Sequence, residues 1–462
     1  MELNFIKNHT IKSFTLVLVY ILLATFFFER IPSLETAFGP IRLFTVLVPL
    51  LIIVLLSSVN KIKHNFRFYS LQYLPVIFLV LALFANFNIV NLPRFISASI
   101  GLMLCIGSCV IISSYKWNWE KALKLLCYGF YGQIIFSIFQ FVGDKVFKLS
   151  ENITGVKPMF QSNVFGIPRL HTTYNEPAYF ANALFLGIFL FAALMCSEIN
   201  IFTKNFKNYK LVYFFTLISL ISIFVLTLAK SAWLILPFPL IVFLIFVYAK
   251  LDSPKFKKIF NFALFATLGF VLIFGSINYN IVGPIAGQFL DTVAGESATS
   301  IERNSYKEAG FELVKRNFPF GVGLGQFGTV GEDYIVDNLF GNNNPSSYNY
   351  FLYKPLENYR NVSDQDKVIL FNVHLEILVE YGLLALIVFL LLIGLLLYKT
   401  LKRIMYISFK IDSRNVLVIS LAFYILCSLG QFFFISPVYI NPFWVALGLL
   451  MATLQQDSKI IN

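Results

Sequence analysis

Apolar stretches of about 20 residues, the length that a helix needs to cross a bilayer, recur along most of the chain. They are separated by charged or turn-rich breaks. Twelve such runs lie at residues 12–28, 39–59, 71–88, 93–114, 121–142, 177–198, 211–229, 231–249, 259–278, 380–398, 415–433 and 437–455. The pattern predicts an all-α polytopic membrane protein with about 12 transmembrane helices, organised as a single integral membrane domain over residues 1–462.

The composition also indicates that the bilayer is the solvent of this protein. Of its 462 residues, 58% are hydrophobic and only 13% are charged, and the mean hydropathy is +0.75. Average globular domains carry about 25% charged residues. A soluble surface with half that share would expose large apolar patches and aggregate, so these figures exclude a soluble enzyme.

Lysine and arginine residues concentrate in alternate loops, as they do on the cytoplasmic side of a membrane protein. These loops carry Lys61, Lys63, Arg67, Lys116, Lys121, Lys124, Lys204, Lys207, Lys210, Lys250, Lys255, Lys257, Lys258, Lys399, Lys402, Arg403, Lys410 and Arg414. We therefore expect both termini in the cytoplasm. The net charge of +12 reflects this topology, and we expect no nucleic-acid partner.

Two long segments fall on the outer face of this topology. They are residues 143–176 and residues 279–379, and the second joins predicted helices 9 and 10. Loops of such length are commonly binding or catalytic elements. The five cysteines lie inside predicted helices, so we expect neither a disulfide framework nor a thiolate metal site in the outer loops; they are Cys105, Cys109, Cys127, Cys196 and Cys427.

His171 and His374 are the two histidines that this topology places outside. Imidazole titrates near neutrality and is the usual general base of enzymes, so both are candidate catalytic or substrate-binding groups. The alternative is that each anchors or caps a helix at the membrane interface, as amphipathic side chains do.

Two arginines, Arg169 and Arg303, stand near predicted helix starts on the outer face. Arg169 shortly precedes the sixth helix, with Glu176 at its mouth, and Arg303 follows a capping box of Thr299 and Glu302 that opens a helix to about residue 317. A cation at a helix N-terminus opposes the helix dipole unless an anion is also bound there. Ion pairing with neighbouring carboxylates is the alternative, but two such arginines favour a phosphate-type ligand.

A glycine-rich segment follows the Arg303 helix, and Gly323, Gly325 and Gly328 formally match G-x-G-x-x-G. A dinucleotide site would need a buried strand before these glycines and a helix after them in a βαβ unit. Here they follow Pro319 in an outer loop. A tight turn that brings the backbone close to a ligand or to the membrane fits better.

Taken together, these segments resemble the O-antigen ligase and polymerase superfamily of bacterial membrane glycosyltransferases. The resemblance spans the whole chain and depends on the order of its motifs: Arg169 to Pro177, the turn Lys230-Ser231-Ala232-Trp233, the Arg303 helix leading into residues 319–325, and His374 followed by residues 380–384. It implies the helical C-type glycosyltransferase architecture, in the bacterial inner membrane.

The resemblance also implies a reaction. The donor would be an undecaprenyl-pyrophosphate-linked glycan, with Arg169 and Arg303 holding the pyrophosphate leaving group and His374 assisting the acceptor hydroxyl. His171, Glu176, Lys230, Gly323 and Gly325 would support substrate binding. No nucleotide, ATP or metal ion is expected as a cofactor; the expected partners are the lipid bilayer, a flippase and chain-length regulators.

Two departures from the family pattern affect this reading. Leu375 follows the histidine where relatives often have asparagine, and Lys230 replaces the usual arginine, so a bidentate contact is not expected there.

Three functions remain open at this level. A polymerase extends the glycan on its lipid carrier, whereas a ligase transfers the finished chain to a lipid A core or another acceptor. We favour the polymerase because the 279–379 segment is long and divergent. A polysaccharide or solute transporter is the third, although the predicted spans contain few ionisable groups that would mark a transport pathway.

Overall fold

The computed structural model describes most of the predicted helices and part of the outer segments. The described residues are 14–28, 33–36, 39–57, 66–67, 69–85, 89–142, 170–174, 176–202, 206–250, 298–332, 334, 370–406, 412–435, 438 and 440–455. Arg169, the predicted span at 259–278 and most of the 143–176 segment lie outside them. Of the 279–379 segment, residues 298–332, 334 and 370–379 are described.

Helices make up nearly all of the described chain. They are α1 (Phe14–Phe27), α2 (Leu43–Ser57), α3 (Tyr73–Leu83), α4 (Leu92–Ser114), α5 (Trp119–Val142), α6 (Pro177–Cys196), α7 (Tyr209–Leu226), α8 (Lys230–Ile235), α9 (Pro237–Lys250), α10 (Ala298–Asn317), α11 (Phe327–Val330), α12 (Val373–Glu376), α13 (Gly382–Tyr406), α14 (Ser413–Gln431) and α15 (Asn441–Gln455). Two strands, β1 (Ser33–Thr36) and β2 (Gly39–Arg42), pair antiparallel with Ser33 opposite Arg42. The all-α membrane class is confirmed.

Eleven of the twelve apolar runs coincide with described helices. Six of these are long and apolar enough to cross a membrane: Leu92–Ser114, Trp119–Val142, Pro177–Cys196, Tyr209–Leu226, Val373–Met405 and Ser413–Gln431. Phe14–Phe27, Thr45–Val54, Ser70–Leu83 and Lys230–Phe246 are shorter apolar helices. The total of twelve spans stays a prediction, since the run at 259–278 is outside the described residues.

Two of the apolar runs differ in detail from a single continuous helix. The run predicted from residue 39 begins as strand β2, in which Pro40 faces Glu35, and its helix starts only at Leu43. The run at 231–249 divides into α8 and α9 at Leu236, because Pro237 has no N–H to continue the hydrogen bonds of α8. A hydropathy average along the chain detects neither change, because both positions lie within an otherwise apolar run.

The described helices run in two opposite directions along the bundle, so their ends gather in two places. At one end, here called the upper end, the Tyr174 hydroxyl donates to the Phe26 carbonyl and the Val373 N–H donates to the Phe432 carbonyl. At the opposite, lower end, Gln72 donates to Ser113, and Arg403 and Arg414 donate to the Thr453 carbonyl. Basic residues of the loops predicted to be cytoplasmic lie at the lower end, among them Arg67, Lys116, Lys121, Lys124, Lys207, Lys210, Arg403 and Arg414.

The centre of the bundle is formed by α6, α14 and α15, which are buried on nearly every side. A helix that is apolar all round is stable only in such surroundings. The one amide in the middle of α6, Asn182, is satisfied there: its oxygen accepts from the Tyr424 hydroxyl at 2.9 Å and its nitrogen donates to Gln431 at 2.8 Å. This pairing offsets the cost of burying a polar group and fixes α6 against the upper end of α14.

Candidate functional site

His374 lies in the first turn of α12 at the upper end. Asn372 caps this turn by accepting from the Leu375 N–H at 3.0 Å, and the half-buried imidazole packs on Phe433 with the ring centroids 4.6 Å apart. Its Nε2 lies 3.2 Å from the Leu429 carbonyl oxygen. A carbonyl oxygen only accepts, so Nε2 carries the hydrogen and Nδ1 of the neutral ring keeps a lone pair that can take up a proton.

Helix α12, which contains His374, widens directly after Glu376 into one π-helical turn, Ile377–Tyr381. Such turns occur often at functional sites. One buried glutamate precedes this turn and another lies within it: Glu376 accepts from the Val438 N–H at 3.4 Å and the Tyr381 hydroxyl at 3.5 Å, while Glu380 is buried within the turn. The sequence contains no recognised signal for a π turn, and neither glutamate was assigned a role from it.

Glu380 holds the glycine-rich segment in place. Its carboxylate accepts from the Gly325 N–H at 2.7 Å and from the Phe327 N–H at 3.1 Å, and its backbone carbonyl accepts from the Gly323 N–H at 2.9 Å. Charge-assisted bonds to backbone amides are short and strong. Gly323 and Gly325, predicted to bind substrate, thus donate their amides to Glu380, and their contact with substrate stays a prediction.

The backbones of the two segments touch at two glycines with left-handed φ angles, Gly321 (78°) and Gly382 (80°). A Cβ at Gly321 would lie 2.8 Å from the Glu380 carbonyl oxygen, and one at Gly382 would lie 2.5 Å from the Pro319 carbonyl oxygen. The same Pro319 oxygen accepts from the Leu383 N–H at 2.8 Å. Only glycine combines this φ with so close an approach.

The far side of the glycine-rich segment is joined to the start of α4. The Gln326 side-chain oxygen accepts from the Asn91 N–H at 2.7 Å, its nitrogen donates back to the Asn91 carbonyl at 3.0 Å, and Asn91 caps α4 by accepting from the Arg94 N–H. The segment therefore connects α4 to the chain that carries His374. Gln326 was not identified from the sequence, where it looks like an ordinary loop residue.

Helix α10 spans Ala298–Asn317 and packs beside the His374 segment. It ends where the sequence predicts, but it already includes Thr299, so the prediction that this residue caps its start is wrong. Its Tyr306 is buried against Phe371, and the Arg303 guanidinium carbon lies 5.1 Å from the centroid of the same ring. Lys307 is half-buried one turn further on; burial, and secondarily the charge of Arg303, lower its pKa. Arg303 and Lys307 lie on one face of α10, and Phe371, which Arg303 contacts, is three residues before His374 in the sequence. An anion would be stabilised beside these two cations.

His171 belongs to a short segment that enters the upper end of the bundle. Its Nδ1 lies 3.2 Å from the Tyr174 carbonyl oxygen, and Gln140 of α5 accepts from the backbone N–H groups of His171 and Thr172. The Tyr174 hydroxyl donates to the Phe26 carbonyl at 2.6 Å. By the argument applied to His374, Nδ1 of the neutral His171 ring carries the hydrogen. The segment leads into α6, whose N-cap position is Glu176, although its side chain makes no capping bond.

The predicted site segments meet around residues 428–433 at the upper end of α14. The Gln431 side chain donates to the Ala178 carbonyl in the first turn of α6. A Cβ built at Gly430 would lie 2.9 Å from Ile235 Cγ2 in α8. These contacts, together with the bond from the His374 ring to the neighbouring Leu429, join the first turns of α6 and α12 and the last residue of α8 to one stretch of chain.

Each of those three helices has a predicted site residue at its N-terminal end. Glu176 precedes α6, Lys230 is the first residue of α8, and His374 lies in α12. Arg303 contacts Phe371, three residues before His374, and the Gly323 and Gly325 N–H groups donate to Glu380, six residues after it. Among the described residues, no group of three His, Cys, Asp or Glu side chains could hold a metal ion.

Residues 214–390 match the family model described as O-antigen ligase. This part of the chain is similar to the O-antigen ligase family. The matched segment runs from α7 into α13 and contains Lys230, Arg303, the two glycines and His374, whereas His171 and Glu176 precede it. It supports membership of the O-antigen ligase and polymerase superfamily and, broadly, a ligase-like or polymerase-like glycosyltransferase function in polysaccharide biosynthesis. No curated protein matches the chain.

Proposed function

We propose that this multi-pass protein polymerises undecaprenyl-pyrophosphate-linked repeat units into O-antigen, capsule or exopolysaccharide. The reaction would occur at the outer face of the bacterial inner membrane, with both termini in the cytoplasm. The observation that carries the proposal is the packing on residues 428–433 of three helices: α6, which Glu176 precedes, α8, which begins at Lys230, and α12, which contains His374. Residues 214–390 of the same chain match the O-antigen ligase family model.

The proposed chemistry is one displacement at the anomeric carbon of the donor glycan. The acceptor hydroxyl oxygen bonds to that carbon, the bond from the carbon to the pyrophosphate oxygen breaks, and the hydroxyl proton passes to Nδ1 of His374. The pyrophosphate leaves with the bonding electron pair. Arg303 and, from the sequence, Arg169 stabilise its developing negative charge, for which guanidinium groups are well suited.

This division of roles requires no nucleotide or ATP, because the pyrophosphate-linked donor is already activated. It also assigns no step to a metal ion, because the guanidinium groups supply the positive charge. A flippase that delivers the lipid-linked repeat and a chain-length regulator are the proposed protein partners. His171 and Glu176, at the entry of α6, are proposed to contact the glycan or its carrier.

A ligase is the second candidate, and the matching family model carries that description. The donor, the leaving group and the proposed roles of His374 and Arg303 would be the same. Only the acceptor would differ, being a lipid A core or another non-carrier molecule. A variant with an inactive site would therefore accumulate single repeat units if the protein is a polymerase and long lipid-linked chains if it is a ligase.

Complementation of a host that lacks this protein tests the proposal. Arg169→Ala, Arg303→Ala and His374→Ala are introduced singly, and Lys315→Ala serves as a control because Lys315 is an exposed cation on the same helix as Arg303, paired with Glu312. After membrane insertion is verified, lipid-linked and surface glycans are separated on a gel. Single repeat units in the three variants, with normal glycan in the control, are the result expected for a polymerase.

Other outcomes of this experiment decide against the polymerase. Long undecaprenyl-linked chains that remain unattached would identify a ligase with the same site. Normal glycan in all three variants would overturn both the site and the transferase function, and transport assays on flipped lipid-linked repeats would then be the next step.

A further inference from the structure

The outward face of α10 changes character along its length. Five exposed positions recur every three or four residues and so lie on one side of the helix and its C-terminal turn; they are Asn304, Glu308, Phe311, Lys315 and Phe318. The first two are polar. The later part carries two phenylalanines, more than half exposed, on either side of a lysine, and Phe320 in the same turn is 66% exposed.

The opposite face of α10 fixes how the helix runs relative to the membrane-spanning part. Near its N-terminus Arg303 lies over Phe371, in its middle Gly310 faces Leu375, and at its C-terminal turn the Pro319 carbonyl binds the Leu383 N–H. Helix α10 therefore descends beside the chain that leads into α13. Its C-terminal turn reaches the level at which α13 begins.

From that level onward α13 exposes apolar side chains to its surroundings. Leu384, Ile387 and Leu391 are each about half exposed and share one face, as expected for contact with lipid. The exposed rings of Phe318 and Phe320 flank Pro319, which is bonded to the residue just before Leu384. The aromatic surface of α10 thus continues into the apolar surface of α13.

We propose that Phe311, Phe318 and Phe320 form an aromatic anchor that inserts into the headgroup region of the outer leaflet and holds the C-terminal end of α10 on the membrane. Aromatic rings are favourable at this depth of a bilayer. The bilayer is the occupant that fits, because it already contacts the adjoining face of α13. The proposal is independent of the reaction that the protein catalyses.

The depth of these positions can be measured by electron paramagnetic resonance. Single cysteines at Phe318→Cys, Phe320→Cys and, as a matched control, Glu308→Cys receive a nitroxide label in full-length protein reconstituted into nanodiscs of phosphatidylethanolamine and phosphatidylglycerol. Glu308 is exposed on the same stripe, about 15 Å further along the helix from position 318. The unsubstituted protein, whose five cysteines are free, gives the background signal.

The anchor predicts a higher ratio of oxygen to nickel-chelate collisions at positions 318 and 320 than at position 308. An equal, low ratio at all three positions would place the turn in water and overturn the proposal. Low collision with both reagents at 318 and 320 would show that protein covers them, either another part of the chain or a second copy, and would overturn it as well. A Phe320→Trp variant provides a second measurement: brominated lipids should quench the fluorescence that it adds.

Discussion

At the scale of single residues, the bond from His374 to the Leu429 carbonyl leads to a prediction about proton transfer. In His374→Gln the amide can still donate to that carbonyl, but no group remains that accepts a proton near neutral pH. We expect the transfer rate to fall by about 10²–10⁴-fold, the usual contribution of a general base. Purified variant, lipid-linked donor and a gel readout measure the rate, and the thermal unfolding midpoint in detergent should remain close to that of the parent protein.

His171→Gln is the matched control for this prediction. His171 is also an imidazole at the upper end, but its Nδ1 faces the carbonyl of Tyr174, within its own segment. We expect a smaller loss of rate than for His374→Gln. The reverse order of the two variants would transfer the role of base to His171.

Lys307 gives a second prediction at this scale, one in which stability and activity change in opposite directions. Burial lowers the pKa of Lys307 in the folded protein, and the charge of Arg303 adds to the effect, so a charged Lys307 opposes folding. This destabilisation has its full value below the pKa of Lys307 in the folded protein. It decreases as the pH rises above that pKa and is lost above the pKa of Lys307 in the unfolded chain. We expect Lys307→Met to raise the unfolding midpoint at neutral pH and to weaken binding of the lipid-pyrophosphate donor.

Lys315→Met is the control, because Lys315 is exposed on the same helix and pairs with Glu312. Thermal unfolding at several pH values and donor titration are the two measurements. The gain in midpoint should shrink as the pH is raised, and it should be absent in the control. Unchanged donor binding in Lys307→Met would show that this cation has no part in holding the leaving group.

At the scale of elements, hydrophobic periodicity predicted most of the fold. Eleven apolar runs coincide with described helices, because a run long enough to cross a bilayer is a local property of the sequence. The helix α10 ends where it was predicted, but it begins before Thr299, the residue that the capping box placed at its start. The π turn after His374 and the docking of residues 319–325 on residues 379–383 were not predicted. Both depend on contacts between distant segments, such as the Glu380 carboxylate with the Gly325 amide, and no local pattern encodes these.

The candidate site shows the same division. His374, Arg303, Glu176 and Lys230 could be named from residue type and position near helix starts. The packing of α6, α8 and α12 on residues 428–433 could not be derived, because it depends on contacts between segments that are distant in the sequence. Gln326 and the two buried glutamates were missed since their importance lies in which backbone amides they bind.

The docking of the two segments predicts an asymmetry between two glycines of α13. Gly382→Ala places a Cβ at φ 80° and 2.5 Å from the Pro319 oxygen, and the φ alone costs about 1–3 kcal/mol. Gly394→Ala has open space around it and removes the flexible residue from the helix, which gains up to about 1 kcal/mol. We expect the thermal midpoint to fall for the first and to stay or rise for the second. Equal midpoints would show that residues 319–325 do not dock on α13 in the membrane.

At the scale of the whole molecule, charge divides unevenly between the two ends. The lower end carries basic residues of the predicted inner loops, while the upper end carries the site and the aromatic surface of α10. The asymmetry of lysine and arginine sets the orientation of polytopic proteins during insertion. If the glycan is assembled outside the cytoplasm, the site must face the outer side of the membrane. A test of the orientation is therefore also a test of the proposed function.

Cysteine accessibility in intact cells tests this orientation. Glu120→Cys and Glu308→Cys form a matched pair, since both replace exposed glutamates, the first at the start of α5 at the lower end and the second on α10. A membrane-impermeant maleimide should label position 308 in intact cells and position 120 only after the membrane is permeabilised, with the parent protein as the blank. Labelling of position 120 in intact cells would place the basic end outside. The site would then face the cytoplasm, where a flipped lipid-linked repeat is out of reach, and the proposed polymerase function would fail with the orientation.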